Sequence, residues 1–260
     1  MPPTPTLLRY PGGKSRARKI LLPMIPDDVE SVCAPFFGGG SVEISLTNKG
    51  VDVYGYDLFE PVANFWEHVL REPHELADSI KEYLGKVDRD TFYSLQGELR
   101  DNFSGSLHDA AIFFVINRCS FSGATLSGGY SSQAATKRFT ESSINRVRTF
   151  SQPHLHVSHG DAFQIIPDTE VDFLFLDPPY LLENSTLYGD SGSHHIDFSH
   201  KNLREVLSEY SGKILLTYNN HPDIHTLYDG FNIYPASWKY GMNSTKDSSE
   251  IIITNYDVKY

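Results

Sequence analysis

The chain has 260 residues and a mass of 29.3 kDa, with 40% hydrophobic and 21% charged residues, a mix that forms a sizeable core and excludes wholesale disorder. Two cysteines, Cys33 and Cys119, exclude a disulfide framework or a multi-thiolate zinc site. The longest apolar run, AAIFFVI at 110–116, falls far short of the roughly 20 residues that span a bilayer, and the N-terminal MPPTPTLLRY has no apolar stretch fit for a signal peptide, so a reduced, cytosolic protein is expected. The net charge of −11 argues against nucleic acid, yet residues 1–20 carry +5 and residues 117–148 carry +4, leaving −20 on the rest; two basic patches on an acidic body can make a phosphate-binding face, though solvated charge clusters by chance as well.

The first motif is Pro11-Gly-Gly-Lys-Ser15. A P-loop needs glycine five residues before Gly13, where Leu8 stands, and a preceding apolar strand, so this reading is rejected. Lys14 is then a solvated charge or a group that meets a ligand carboxylate. A short β-rich run at 31–34 leads into APFFGGGSVE (34–43), which opens a helix. Glycines there let backbone approach a ligand, and free N–H groups face a carboxylate or phosphate; a plain tight turn explains the triplet equally well. The next strand, at 51–56, is closed by Asp57, about 20 residues on, where an acid can hold two ribose hydroxyls.

Residues 61–150 differ. VANFWEHVL, HELADSIKEYL, DTFYSLQGELR and LHDAAIFFVINR have helical patterns, followed by a Ser/Gly stretch, SFSGATLSGGYSSQ, that reads as a hairpin or loop. Strands return at 155–158 and 171–176, the latter (VDFLFL) apolar throughout, as in a sheet covered on both faces. Asp177-Pro-Pro-Tyr180 follows directly. A strand C-terminus is where open α/β sheets bind substrate, and this tetrapeptide offers an acid, exposed carbonyls and a ring to a flat amino-bearing base. A polar stretch with His194 and His195, then His200, precedes the helical LREVLSEY. A metal triad there is weighed against a solvated loop over the pocket, and the loop is preferred; no metal is expected. KILLTY, a short helix near 222–228, FNIYPASW and EIIITNY complete an alternating pattern that predicts an α/β sandwich with a mostly parallel sheet.

APFFGGGSVE, an acid ending the next strand, a helical insertion and then DPPY, in this order, resemble the Dam-like (D12 class, alpha group) DNA adenine-N6 methyltransferases. LLRYPGGK is similar to that family's opening motif, NRCSFSG (117–123) to its asparagine–arginine–aromatic–glycine segment, and GDAF (160–163) to its glycine–aspartate turn. The resemblance spans about residues 7–256. It implies a Rossmann-like S-adenosylmethionine-dependent methyltransferase sheet with helices on both faces, from residues 1–60 and 155–260, with a helical target-recognition domain inserted at 61–154 and its hairpin or loop near 120–139. By resemblance, Tyr10 and Lys14 meet the methionine end of S-adenosylmethionine with the backbone of Pro35, Phe36, Gly38, Gly39 and Gly40. Asp57 holds the ribose, Asp161 and Phe163 the adenine, and Asp177, Pro178, Pro179 and Tyr180 form the catalytic pocket, with Asp177 also at the cofactor. Arg9, Asn117, Arg118, Phe121, Ser122, Lys137 and Arg138 are implied to contact double-stranded DNA, Phe121 as a wedge in the duplex. The run after Gly123, Ala124–Tyr130, lacks the arginine with which GATC enzymes read a guanine, so GATC is not carried over. A monomer gathered on the nucleoid is expected, with a cognate restriction endonuclease as a candidate partner. N-methyltransferases of RNA or of protein glutamine share a [DN]PPY turn but usually begin it with asparagine and lack the insertion. A catalytically silent DNA-binding module is the third reading.

Overall fold

The computed structural model describes residues 6–181, 198–238 and 249–258. Seven strands, β1 (Ser31–Ala34), β2 (Asp52–Asp57), β3 (Leu155–His159), β4 (Phe173–Leu176), β5 (Lys213–Asn219), β6 (Asn232–Ala236) and β7 (Glu250–Thr254), form one sheet in the order β3-β2-β1-β4-β5-β7-β6. β1 to β5 are parallel, and β7 runs antiparallel between β5 and β6. The predicted mixed α/β sheet is therefore present.

The side-chain period of 2 sends alternate residues of each strand to opposite faces. In β4, Phe173 and Phe175 enter one apolar cluster while Leu174 and Leu176 enter another; in β7, Ile252 joins the first and Ile251 and Ile253 the second. Both faces are covered, which is why β4 is apolar at every position.

On the second face lie α9 (Ala162–Asp168), α10 (His200–Glu209) and α11 (Pro222–Leu227), through Ile166, Leu203, Leu207 and Ile224. The first face carries α1 (Arg18–Leu21), α2 (Glu43–Thr47) and a helical stack: α3 (Glu60–Arg71), α4 (Pro73–Lys81), α5 (Arg89–Asp101), α6 (Leu107–Cys119), α7 (Ser132–Lys137) and α8 (Glu141–Arg148). Ser106 caps α6 in a reciprocal box with Asp109, and Thr140 caps α8 in the same way with Ser143, which fixes two entry points of this stack. α3 packs directly on β2 and β3, and one cluster runs unbroken from Val32 and Val53 through Phe65 and Trp66 to Phe113 and Phe114. The helices at 61–154 thus share the core of the sheet, and a boundary at residue 61 falls inside α3.

The Ser/Gly stretch is a closed loop. Ser120 and Tyr130 form an isolated antiparallel bridge, with two 3-10 turns between them at Phe121–Gly123 and Thr125–Ser127. The Gln96 amide on α5 donates to the Thr125 and Gly128 carbonyls at 2.6 and 2.8 Å, pinning the loop from below.

Candidate functional site

The chain passes from β1 outward to β2 and β3, then returns to β4 on the other side of β1. Between β1 and β4 lies the switch point, where the connections leave in opposite directions and open a crevice. A cavity of about 400 Å³ sits there, lined by the segments that follow β1, β2, β3 and β4 and by the N-terminal loop.

Its floor is the glycine turn. Gly38 and Gly40 have φ of +49° and +62°, and a Cβ on Gly38 would lie 2.7 Å from the Tyr10 ring. Only glycine lets that ring cover the turn. Asp57 holds the turn from the neighbouring strand: one carboxylate oxygen accepts the Gly38 N–H at 2.8 Å and the other the Phe59 N–H at 2.9 Å. Burial pushes the Asp57 carboxyl up to about 6, with the two N–H bonds opposing that rise. The indole of Trp66 donates to the Gly38 carbonyl at 2.9 Å, fixing the third side.

One wall is aromatic. Asp161 caps α9 by accepting the Phe163 N–H at 2.9 Å. Phe163 stacks on Phe198 with centroids 5.7 Å apart, and Phe36 meets Phe198 edge-on at the same distance. Phe198 is absent from the sequence expectations; it stands in the polar stretch with His194, His195 and His200, which gave it no pattern.

At the opposite end, Asp177 leaves β4. Lys14 Nζ lies 2.6 Å from one of its oxygens and 2.8 Å from the other, and donates to the Gly12 carbonyl at 3.0 Å. The Thr217 hydroxyl on β5 donates to Asp177 at 2.7 Å. Lys14 Nζ also stands 4.8 Å from the centre of the Tyr180 ring and 6.0 Å from that of Trp238. The Tyr180 ring rests against Tyr218, whose hydroxyl meets His200 Nδ1 at 2.7 Å. Asn219 donates to the Leu181 carbonyl at 2.9 Å and ties down the end of the tetrapeptide. Thr217 and Tyr218 were read only as strand, and Asn219 fell just outside it. Their signal was three polar-tipped residues closing an apolar run.

Tyr10, Lys14, Pro35, Phe36, Gly38, Gly39, Gly40, Asp57, Asp161, Phe163, Asp177 and Pro179 therefore line one cavity. Glu43, also on its wall, was not anticipated. The carboxyl of Glu43 is buried, and burial pushes it up to about 8, against N–H bonds from Glu43 itself and Val42. Among the described residues no cluster of His, Cys, Asp and Glu could hold a metal ion; His194 and His195 lie outside those residues.

The expected DNA-contact residues divide. Phe121 (66% exposed), Ser122, Lys137 and Arg138 are on the surface. Asn117 and Arg118 are buried. Asn117 is wholly buried: its Oδ1 accepts the Arg9 N–H at 2.9 Å, and its Nδ2 donates to the Arg9 carbonyl at 2.7 Å and the Gly123 carbonyl at 3.2 Å. The Arg118 guanidinium donates to the carbonyls of Arg138 at 2.9 Å and Leu7 at 3.4 Å. Burial, with Arg146, Arg9 and Arg138 nearby, lowers it to about 9. The last turn of α6 is packed within the core, so its polar residues hold neighbouring backbone. Arg9 is half-buried and donates to the Ser120 carbonyl at 3.0 Å, which sets it beside the loop that carries Phe121.

Acids, aromatics and a strained glycine turn converging on the switch point of a doubly covered sheet define an α/β protein with a built ligand site. The chain belongs to the D12 class N6 adenine-specific DNA methyltransferases, which match residues 10–242, and so is an enzyme of DNA adenine methylation. No curated protein matches the chain. Among solved structures, precorrin 8W decarboxylase from Methanobacterium thermoautotrophicum is similar over 95% of each chain, at 10% identity and a TM-score of 0.38, a likeness that bears no weight on function. No helix among the described residues is long and apolar enough to cross a membrane.

Proposed function

We propose that the chain transfers the methyl group of S-adenosylmethionine to the N6 amino group of adenine within a short specific sequence of double-stranded DNA, after flipping the base, in the manner of the Dam-like alpha group. The observation that carries this reading is the cavity that joins the glycine turn and Asp57 to Asp177 and Pro179.

The donor set fits the cofactor: an aromatic slot (Phe36, Phe163, Phe198) for a purine, buried Asp57 for ribose hydroxyls, and Lys14 for a carboxylate. When bound, the cofactor supplies a methyl group already activated on a sulfonium. The protein supplies alignment. The adenine amino nitrogen is a weak nucleophile because its lone pair is delocalised into the ring. The Asp177 carboxylate and the Pro178 carbonyl accept its two N–H groups and aim the lone pair, while Tyr180 stacks on the base, which is worth roughly 1–3 kcal/mol. Unstacking costs a few kcal/mol, and exposed Phe121 is placed to fill the gap. Helices α4 to α8 with the 120–131 loop form the target-recognition region. Arg9, Lys137 and Arg138 give it a basic edge, and Asn117 and Arg118 brace it from within.

The test is incubation of the purified protein with isotopically labelled S-adenosylmethionine and separately with DNA, RNA and protein. N6-methyladenine in DNA alone is expected, and long-read methylation sequencing of DNA from expressing cells gives the target motif. Label in RNA or in glutamine, with none in DNA, would overturn the reading.

A further inference from the structure

Four acids stand on the wall of the cavity, and three have evident structural employment. Asp57 holds two backbone N–H groups, Asp161 caps α9, and Asp177 holds Lys14 and Thr217. Glu43 bonds only N–H groups of its own short helix, and no described side chain donates to it. Burying a carboxyl is costly, and the turn itself does not require one. A buried ionisable group that faces a ligand cavity and has no side-chain partner is a mark of binding chemistry.

Its neighbours show what it would bind. Lys14, on the N-terminal loop, is close enough to favour the charged form of Glu43, and Asp177, after β4, is close enough to oppose it. Asp57 and Asp161 line the cavity farther round, and Arg18 reaches Ser45 on the same helix at 3.3 Å. A buried cation and a buried acid lining one cavity match an α-amino acid, which carries a carboxylate and an ammonium on the same carbon.

We propose that Glu43 is the ligand of the ammonium at the amino-acid end of the cofactor, with Lys14 taking the adjoining carboxylate. The inference rests on the cofactor reading given above. It adds a coupling: as Lys14 turns to that carboxylate, Asp177 loses its resident cation and becomes free to accept an amino group. Because burial keeps Glu43 protonated near neutrality in the free protein, capture of an ammonium requires it to release a proton to solvent.

The experiment is titration calorimetry of the full chain with S-adenosylhomocysteine, which shares the amino-acid end and cannot be turned over, in buffers of different ionisation enthalpy between pH 6 and 7.5. A deaminated analogue of the same nucleoside serves as the second probe. For the wild type we expect close to one proton released per ligand and affinity rising about tenfold per pH unit. Glu43→Gln, isosteric with the protonated acid, should lose about 10- to 100-fold in affinity for S-adenosylhomocysteine, lose the proton release, and bind the deaminated analogue as the wild type does. If Glu43→Gln weakens both probes equally, or the wild type releases no proton, the assignment is overturned. Should the variant fail to fold, proton release and pH slope in the wild type decide alone. A wild type that binds neither nucleoside overturns the cofactor reading and this inference together, whereas wild-type binding without proton release overturns this one only.

Discussion

Lys14 and Asp177, 163 positions apart in the chain, form a two-oxygen ion pair at 2.6 and 2.8 Å, with the lysine buried and the aspartate side chain 20% exposed. With Thr217 on the same carboxylate, both of its oxygens are already engaged. The pair has two consequences, one for turnover and one for stability.

Asp177→Ala should lower methyl transfer at least 100-fold while cofactor affinity stays within roughly tenfold, because the carboxylate acts mainly on the substrate. It also strands a buried ammonium. Removing one partner of such a pair costs up to roughly 3–5 kcal/mol, less here because Asp177 is partly solvated. The double variant Lys14→Met, Asp177→Ala should therefore melt above Asp177→Ala alone, as read by calorimetry. A double variant no more stable than the single one would show that the pair carries little energy.

Arg118 and Arg138 should separate stability from DNA affinity. Arg118→Ala leaves two carbonyls without a donor and should lower the melting temperature, each lost bond costing about 1–3 kcal/mol. Arg138→Ala should leave melting unchanged and weaken DNA binding, with the slope of log affinity against log salt reduced by about 1. Fluorescence anisotropy across a salt series, paired with thermal melts, checks both. The wild type should show a steep salt dependence despite its net charge of −11, because only the local field at the basic edge faces the duplex.

Phe121→Ala should slow base flipping, followed by 2-aminopurine fluorescence at the target position, with cofactor affinity unaltered. The ring is exposed and touches no part of the cavity, so a fall in cofactor binding would count against the wedge role.

The free protein should be more stable at pH 6 than at pH 8. Glu43 and Asp57 are acids whose folded values, about 8 and about 6, lie above their ordinary ones. The folded state then binds more protons than the unfolded one. Stability falls as pH rises, from about pH 4 to 6 through Asp57 and from about pH 4.5 to 8 through Glu43, by at most about 1.4 kcal/mol per pH unit per group. Glu43→Gln should flatten the melting curve between pH 6 and 8 and reduce the slope below pH 6 to the part that Asp57 contributes.

The parallel strands were legible because burial on two faces leaves a local mark: VDFLFL can be little else. The glycine turn, Asp57 and Asp177 were legible because strand ends in a doubly wound sheet meet at one edge. The position of β7 between β5 and β6 was not, since strand order is set by tertiary pairing and leaves no periodicity. The burial of Asn117 and Arg118 was not legible either. A family resemblance assigns them to DNA by motif position alone, and only the packed last turn of α6 shows them turned inward to backbone carbonyls and N–H groups. Glu43 was read as helix and nothing more, because no spacing rule marks an acid that faces a cavity.

The antiparallel seat of β7 has a bearing on how the molecule is made. β5 supplies Thr217 and Asn219, the residues that steady Asp177 and Leu181, and one edge of β5 has no neighbour until residues 250–254 arrive. On the ribosome, the first five strands can assemble while that edge still presents unpaired backbone, and β6 has nothing to bond until β7 enters between them. Completion of the sheet beside the Asp177–Tyr180 tetrapeptide thus waits on a strand synthesised after both of its partners. A nascent chain stalled before residue 250 would hold its glycine turn and lack the strand that covers the free edge of β5.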